Sequence, residues 1–152
     1  MKTKSFKIAT VMVAIILVAF LIAGYCKQKN CKFVLIDAII TASVDDKFMP
    51  GNITDSFLTG TSKVYCWFQW KDAPKDTKII SHWSYVTDDV PILDYTFMIP
   101  RKNGTGSVSL EMPQGKILPE GTYHVELLYK NKKLKSLAFK VSAADVASQP
   151  VF

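Results

Sequence analysis

The sequence predicts an all-β fold, a seven-stranded antiparallel sandwich preceded by one N-terminal transmembrane helix. Three observations predict it. From Lys32 onward, apolar and polar residues alternate with the period of two that a half-buried strand imposes. Pro, Gly and Asn-Gly turn signals break this alternation at the short intervals of a sandwich, and no stretch sustains a 3.6-residue repeat. Ahead of the strands, Ile8–Tyr25 forms an apolar run with no charge in it. A chain of 152 residues suits one such domain.

The N-terminal segment is read first because it places the rest. Residues 1–7 form a basic head, expected in the cytoplasm. Residues 8–25, as a helix, span roughly 27 Å, close to the hydrocarbon thickness of a bilayer. That run is longer than the usual core of a cleaved signal peptide, and its exits are poor. Ala19-Phe20-Leu21 and Ala23-Gly24-Tyr25 end on large residues, leaving Leu21-Ile22-Ala23 as the one passable site. An uncleaved signal-anchor is therefore expected, with residues 26–32 as a juxtamembrane linker. Two alternatives stay open, a cleaved secretory peptide and a lipoprotein. Leu21-Ile22-Ala23-Gly24-Tyr25-Cys26 resembles a bacterial lipobox, with Cys26 as the lipidated residue, although Tyr25 stands where that motif needs a small side chain. All three export the body. Lysines flank the run on both sides, so orientation rests on the trivially short head. The expected location is the cytoplasmic (inner) membrane, single-pass, with the C-terminal domain on the periplasmic or extracellular side.

Charge supports this division. The chain carries a formal net charge of +6, but Lys2, Lys4, Lys7, Lys27 and Lys29 all flank the apolar run. From Lys32 onward 14 basic residues face 13 acidic ones. A nearly neutral body argues against nucleic-acid binding and against long-range electrostatic steering. Three cysteines, Cys26, Cys31 and Cys66, cannot all pair within one chain, and their spacing matches no zinc pattern.

The strands follow in order. Phe33–Val44 is apolar and β-branched, and Asp45–Thr61, with Pro50, Gly51 and Gly60, is a long connection. Lys63–Trp70 alternates, placing Val64, Cys66, Phe68 and Trp70 on one face and Tyr65, Trp67 and Gln69 on the other. Lys78–Val86 and Ile92–Ile99 come next, and Asn103-Gly104 signals a short hairpin because both residues tolerate positive φ. Ser107–Met112 alternates, and Pro113–Gly121 connects it to a closing hairpin of Thr122–Tyr129 and Leu134–Ser142. Residues 143–152 lack periodicity and read as a loosely ordered tail.

The segment Leu118-Pro119-Glu120-Gly121-Thr122-Tyr123-His124-Val125, with Phe139-Lys140-Val141 after it, resembles the closing hairpin of bacterial immunoglobulin-like domains. Phe57 to Val64 followed by Ile79 to Trp83 is similar to their paired strands with a Trp on the third. The resemblance covers about residues 33–142, without the two strand-bridging cysteines of antibody domains. It implies an immunoglobulin-like sandwich and no particular reaction. The residues themselves point the same way. Tyr123 follows a Pro/Gly corner as a tyrosine corner does, and Trp83 is large enough to fill the space between two sheets. Val125, Leu127, Leu137, Phe139, Val141, Val108 and Leu110 complete the expected core.

Catalysis finds little support. There is no Gly-x-Ser-x-Gly elbow and no Gly-rich phosphate loop opening a helix, so no enzyme activity and no cofactor are expected. Asp45-Asp46 and Asp88-Asp89 read as solvated turn acids, since one pair does not make a calcium loop. With Trp83 and Tyr123 inward, alternation sends His82, His124 and Glu126 to a shared outer face, where two imidazoles and a carboxylate suit a transition metal. The same face is unusually apolar, with Ile80, Leu128, Leu134 and Ala138 beside the histidines. That combination marks an expected partner-binding surface of Ile80, His82, His124, Leu128, Leu134 and Ala138. Two functional classes therefore stand. One is an anchored binding or assembly module, an accessory subunit of a cell-envelope complex whose partners are the bilayer, through residues 8–25, and other envelope or membrane proteins. The alternative is a periplasmic metal-handling protein using His82, His124 and Glu126.

Overall fold

The computed structural model describes residues 32–144. The expected head, the apolar run 8–25, Cys26, Cys31 and most of the expected tail lie outside the described residues. Among the described residues, no helix is long and apolar enough to cross a membrane.

The alternating segments form β1 Val34–Val44, β2 Pro50–Ile53, β3 Ser56–Leu58, β4 Lys63–Lys71, β5 Lys78–Tyr85, β6 Val90–Met98, β7 Gly104–Glu111, β8 Gly121–Tyr129 and β9 Lys132–Ser142. They build two sheets, ordered β2-β1-β4-β7 and β3-β9-β8-β5-β6. Pairing is antiparallel except for β3, which runs parallel to β9. The core lies between the two sheets and is lined by the inward half of each alternating strand.

Three expectations need correction. The described residues hold nine strands rather than seven, because β2 and β3 lie inside the segment read as one long connection. At four and three residues they are too short for alternation to show, and Pro50-Gly51 reads as a turn. β2 is nonetheless fixed to β1, where the fully buried Thr41 hydroxyl donates to the Gly51 carbonyl. Asn103-Gly104 does not close a hairpin, since β6 and β7 belong to opposite sheets. The segment is instead tied to the β4–β5 loop, with the Ala73 amide donating to the Lys102 carbonyl and the Asp72 amide to Asn103 Oδ1. Finally, β4 and β5 are not paired; they belong to opposite sheets, so Phe57–Val64 and Ile79–Trp83 form no strand pair.

The closing hairpin forms, but with a two-residue turn, and its second strand begins at Lys132 rather than Leu134. Lys130 and Asn131 both adopt positive φ, the requirement of a type I′ turn, and join β8 to β9 tightly. Tyr123 forms the tyrosine corner. Its ring is buried, its hydroxyl donates to the Pro119 carbonyl at 2.7 Å, and burial with the nearby Tyr85 pushes that hydroxyl's pKa up to about 12. Gly121 permits this corner. It has φ of 148°, and a Cβ there would meet the Tyr85 ring at 2.5 Å.

The core is aromatic at both ends. Tyr123 stacks on Phe139 at 4.9 Å, and Trp83 meets Phe139 edge-on at 6.3 Å. Towards the other end, Phe68 packs against Trp70 and Phe97. Each buried indole N–H has an acceptor: Trp83 donates to the Ser81 hydroxyl and Trp70 to the Arg101 carbonyl. Cys66 is wholly buried among these rings, and burial lifts its thiol pKa to about 12, so it is an inert core residue.

Trp83→Ala removes a wholly buried ring from this core and is expected to cost about 3–5 kcal/mol in denaturant unfolding. Tyr123→Phe keeps the ring and removes the hydroxyl, and is expected to cost only about 1 kcal/mol. Equal losses for the two variants would mean that the corner hydrogen bond, rather than ring burial, carries this region.

Candidate interaction surface

The outer face of the larger sheet carries the residues singled out in the sequence. Trp83 and Tyr123 point inward and are buried, so the alternation that turns their neighbours outward holds. Ile80 lies directly opposite Leu128, His82 opposite Glu126, and His124 opposite Ser84 and Ala138. These residues do share a face. They do not gather into a metal cage: His82 Nδ1 contacts Asp94 on β6, and Glu126 pairs with Lys133 on β9. Among the described residues no group of three His, Cys, Asp or Glu is placed to hold a metal ion.

Leu134 differs from the rest of the expected surface. The β8–β9 register slips between Leu127 and Leu128, whose partners are Lys135 and Lys133, leaving Leu134 as the extra residue of a bulge. A bulge reverses the facing of the residue it inserts, and Leu134 packs against the core. The outward apolar patch therefore shrinks to Ile80, Leu128 and Ala138. Trp67 also departs from expectation. It belongs to the outer face of the smaller sheet but is buried, its indole N–H donating to the Phe48 carbonyl of the β1–β2 loop at 2.7 Å.

The surface that sequence reasoning missed is the edge of β6. Residues paired directly across a sheet share a face, so Leu93, Tyr95 and Phe97 lie on the inner side with Trp83, Ser81 and Ile79. Phe97 is covered because β7 offers Gly106 beneath it; a Cβ at Gly106 would meet the Phe97 ring at 2.9 Å. Above that point the strand overhangs. Leu93 is 40% exposed and Tyr95 51% exposed although both point inward. The other edges are better protected. β2 and β3 are very short, and β7 buries alternate residues. On β6, Pro91 and the bulge at Ile92 blunt the first half, leaving Leu93–Met98 as an available edge.

The sequence total also conceals an uneven charge distribution. Val34 pairs with Lys71, Lys78 with Met98, and Tyr129 with Lys132, so the start of β1 shares one end of the sandwich with three connections. The β4–β5 connection brings Lys71, Lys75 and Lys78 to this end, and the β6–β7 connection brings Arg101 and Lys102. The closing hairpin adds Lys130, Lys132, Lys133 and Lys135. Against them stand Asp72, which pairs with Lys102 at 3.3 Å, Asp76, and Glu126, which pairs with Lys133. The opposite end holds Asp45 and Asp46, Asp88 and Asp89, and Glu111 and Glu120, with Lys47, Lys63, Lys116 and Lys140 among them. The body is near neutral in sum, with its excess of positive charge at one end and a smaller excess of negative charge at the other. A groove of about 520 Å³ opens at the basic end, with Ala73, Ile99 and Pro100 among its lining and Lys75, Arg101 and Lys102 beside them.

Two solved structures share this architecture. An immunoglobulin-like protein from Pseudomonas aeruginosa aligns over 72% of this chain and 96% of its own, at 11% identity and a TM-score of 0.51. The Pseudomonas fluorescens alkylpurine DNA glycosylase AlkC, bound to DNA containing an abasic site analog, aligns over 78% of this chain and 35% of its own, at 14% identity and a TM-score of 0.50. No family model and no curated protein matches the sequence. Likeness at this level of identity speaks to fold alone. The described body has an immunoglobulin-like β-sandwich fold.

Proposed function

We propose that the protein is a membrane-anchored, extracytoplasmic binding module that acts by protein–protein interaction rather than catalysis, as an accessory subunit of an envelope complex. The observation that carries this is the overhanging edge of β6. An extended segment of a partner laid along Leu93–Met98 would continue the larger sheet through main-chain hydrogen bonds. It would also cover Leu93 and Tyr95, which the protein's own second sheet leaves open. The Ile80–Leu128 pair on the adjoining outer face gives the same partner a second apolar contact. Residues 8–25 supply the anchor, and tethering raises the local concentration of the module near other membrane proteins, so a weak interface suffices.

The anchor is tested on the natural protein. A retained Met1 and extraction by detergent, but not by carbonate or high salt, are expected. A mature chain beginning at a lipidated Cys26 would replace the transmembrane anchor with a lipid one. A chain beginning after Ala23 and released without detergent would remove the anchor altogether.

The binding surface is tested with a lysine, the residue that natural sheet edges use to repel added strands. Tyr95→Lys should melt like the parent, because the side chain is already half exposed, yet lose the proteins that co-purify from native membranes. Ile117→Lys alters a similarly exposed apolar residue in the β7–β8 connection and should lose none. If Leu128→Glu loses partners while Tyr95→Lys keeps them, the outer face is the interface and the β6 edge is not.

A further inference from the structure

We infer that the basic end of the sandwich is a membrane-facing surface that binds the anionic phospholipid headgroups of the bilayer carrying the chain. The inference rests on the anchor proposed above and adds a second, electrostatic contact to it. Three observations carry it. First, the basic residues come from separate connections that the topology brings to one end, while acidic residues gather at the other. Second, the chain enters the sandwich at this same end, through Phe33, whose ring packs on Tyr129 at 4.9 Å beside the closing hairpin. The polypeptide arriving there has just left the uncharged run 8–25, and the seven residues 26–32 span at most about 25 Å when fully extended. Third, the groove at this end is lined by cationic Lys75, Arg101 and Lys102, against the single carboxylate of Asp76, together with apolar Ala73, Met98 and Ile99. A phosphate with acyl chains behind it presents that same pairing of anion and hydrocarbon.

The charge arrangement separates this role from the β6 edge. The field of an anionic leaflet falls off within a Debye length, about 8 Å at physiological ionic strength, so it acts on the near end of the sandwich alone. Attraction of that end alone stands the sandwich upright on the leaflet. The strands then run along the membrane normal, and β6 faces sideways, open to a neighbouring membrane protein. A nucleic acid would satisfy the lysines equally, but it would leave the entry point of the chain unexplained.

The test reconstitutes the full chain into phosphatidylcholine vesicles with and without phosphatidylglycerol. A membrane-impermeant amine reagent then reads each lysine by peptide mass spectrometry, and flotation in high salt reports the anchor separately. With phosphatidylglycerol, labelling of Lys75, Lys102 and Lys130 should slow by roughly fivefold or more at low salt, and high salt should abolish the difference. Lys47 and Lys116, at the far end, should label alike in both vesicles. Vesicle-bound protein whose basic-end lysines label equally with either lipid overturns the inference and leaves the anchor intact. Flotation that requires both phosphatidylglycerol and low salt, with the same lysines protected, removes the anchor and keeps the inference. Stronger protection of these lysines by a DNA duplex than by phosphatidylglycerol at matched salt overturns it in favour of a nucleic-acid surface.

Discussion

Burial of a small set of aromatic rings between two sheets is the constraint on which the remainder of the structure depends. Trp83, Tyr123 and Phe139 occupy one end of the core and Phe68, Trp70 and Phe97 the other, and only their joint exclusion from water gives the strands a common inside. Side chains of this size contribute more apolar area than any other residue type and so dominate the driving force of folding. Once Trp83 is inward, the period of two fixes the facing of every residue on β5, and cross-strand pairing passes that facing to β6 and β8. The sandwich needs no disulfide for this, and Cys66 serves as one more buried apolar group.

The features of functional interest arise where this constraint is met unevenly. The larger sheet is one strand wider than its partner. At the level of Phe97 the excess is absorbed, because Gly104 and Gly106 let the rings of Trp70 and Phe97 approach β7 closely. Higher along β6 nothing comparable happens, and two inward side chains remain in solvent. An open edge of this kind is a hazard in a free protein and an asset in one built to accept a strand. Charge follows the topology in the same way. Alternating strand direction sends successive connections to opposite ends, so a chain with balanced charge folds into a polarised body.

The sequence made some of this legible. Tyr123, Gly121 and Pro119 form a local motif, and Trp83 with its strand period identifies the core without reference to distant residues. What escaped depends on non-local facts. Leu134 reads as outward by counting, and only the slip in pairing opposite Leu127 and Leu128 turns it inward. Trp67 reads as exposed until the β1–β2 loop folds over it and Phe48 accepts its N–H. The overhang of Leu93 and Tyr95 reflects the relative widths of two sheets, which no window of β6 contains. Likewise, Lys75, Lys102 and Lys130 are far apart in the chain, and their common end appears only once β4–β5, β6–β7 and β8–β9 are known to be neighbours. His82 and Glu126 lie opposite each other on one face, but alternation does not show that each meets a partner of its own, Asp94 and Lys133.

β5 and β8 are locked around the aromatic core while β6 presents an open edge. Residue-resolved hydrogen exchange on the isolated full chain in detergent tests this most directly. Amides of β5 and β8 are expected to exchange together and slowly, near the global unfolding limit. Those β6 amides between Leu93 and Met98 that do not bond to β5 should exchange orders of magnitude faster. Protection of every amide from Leu93 to Met98 at the level of β5 would mean that the edge is already covered and that β6 is not open to a partner strand.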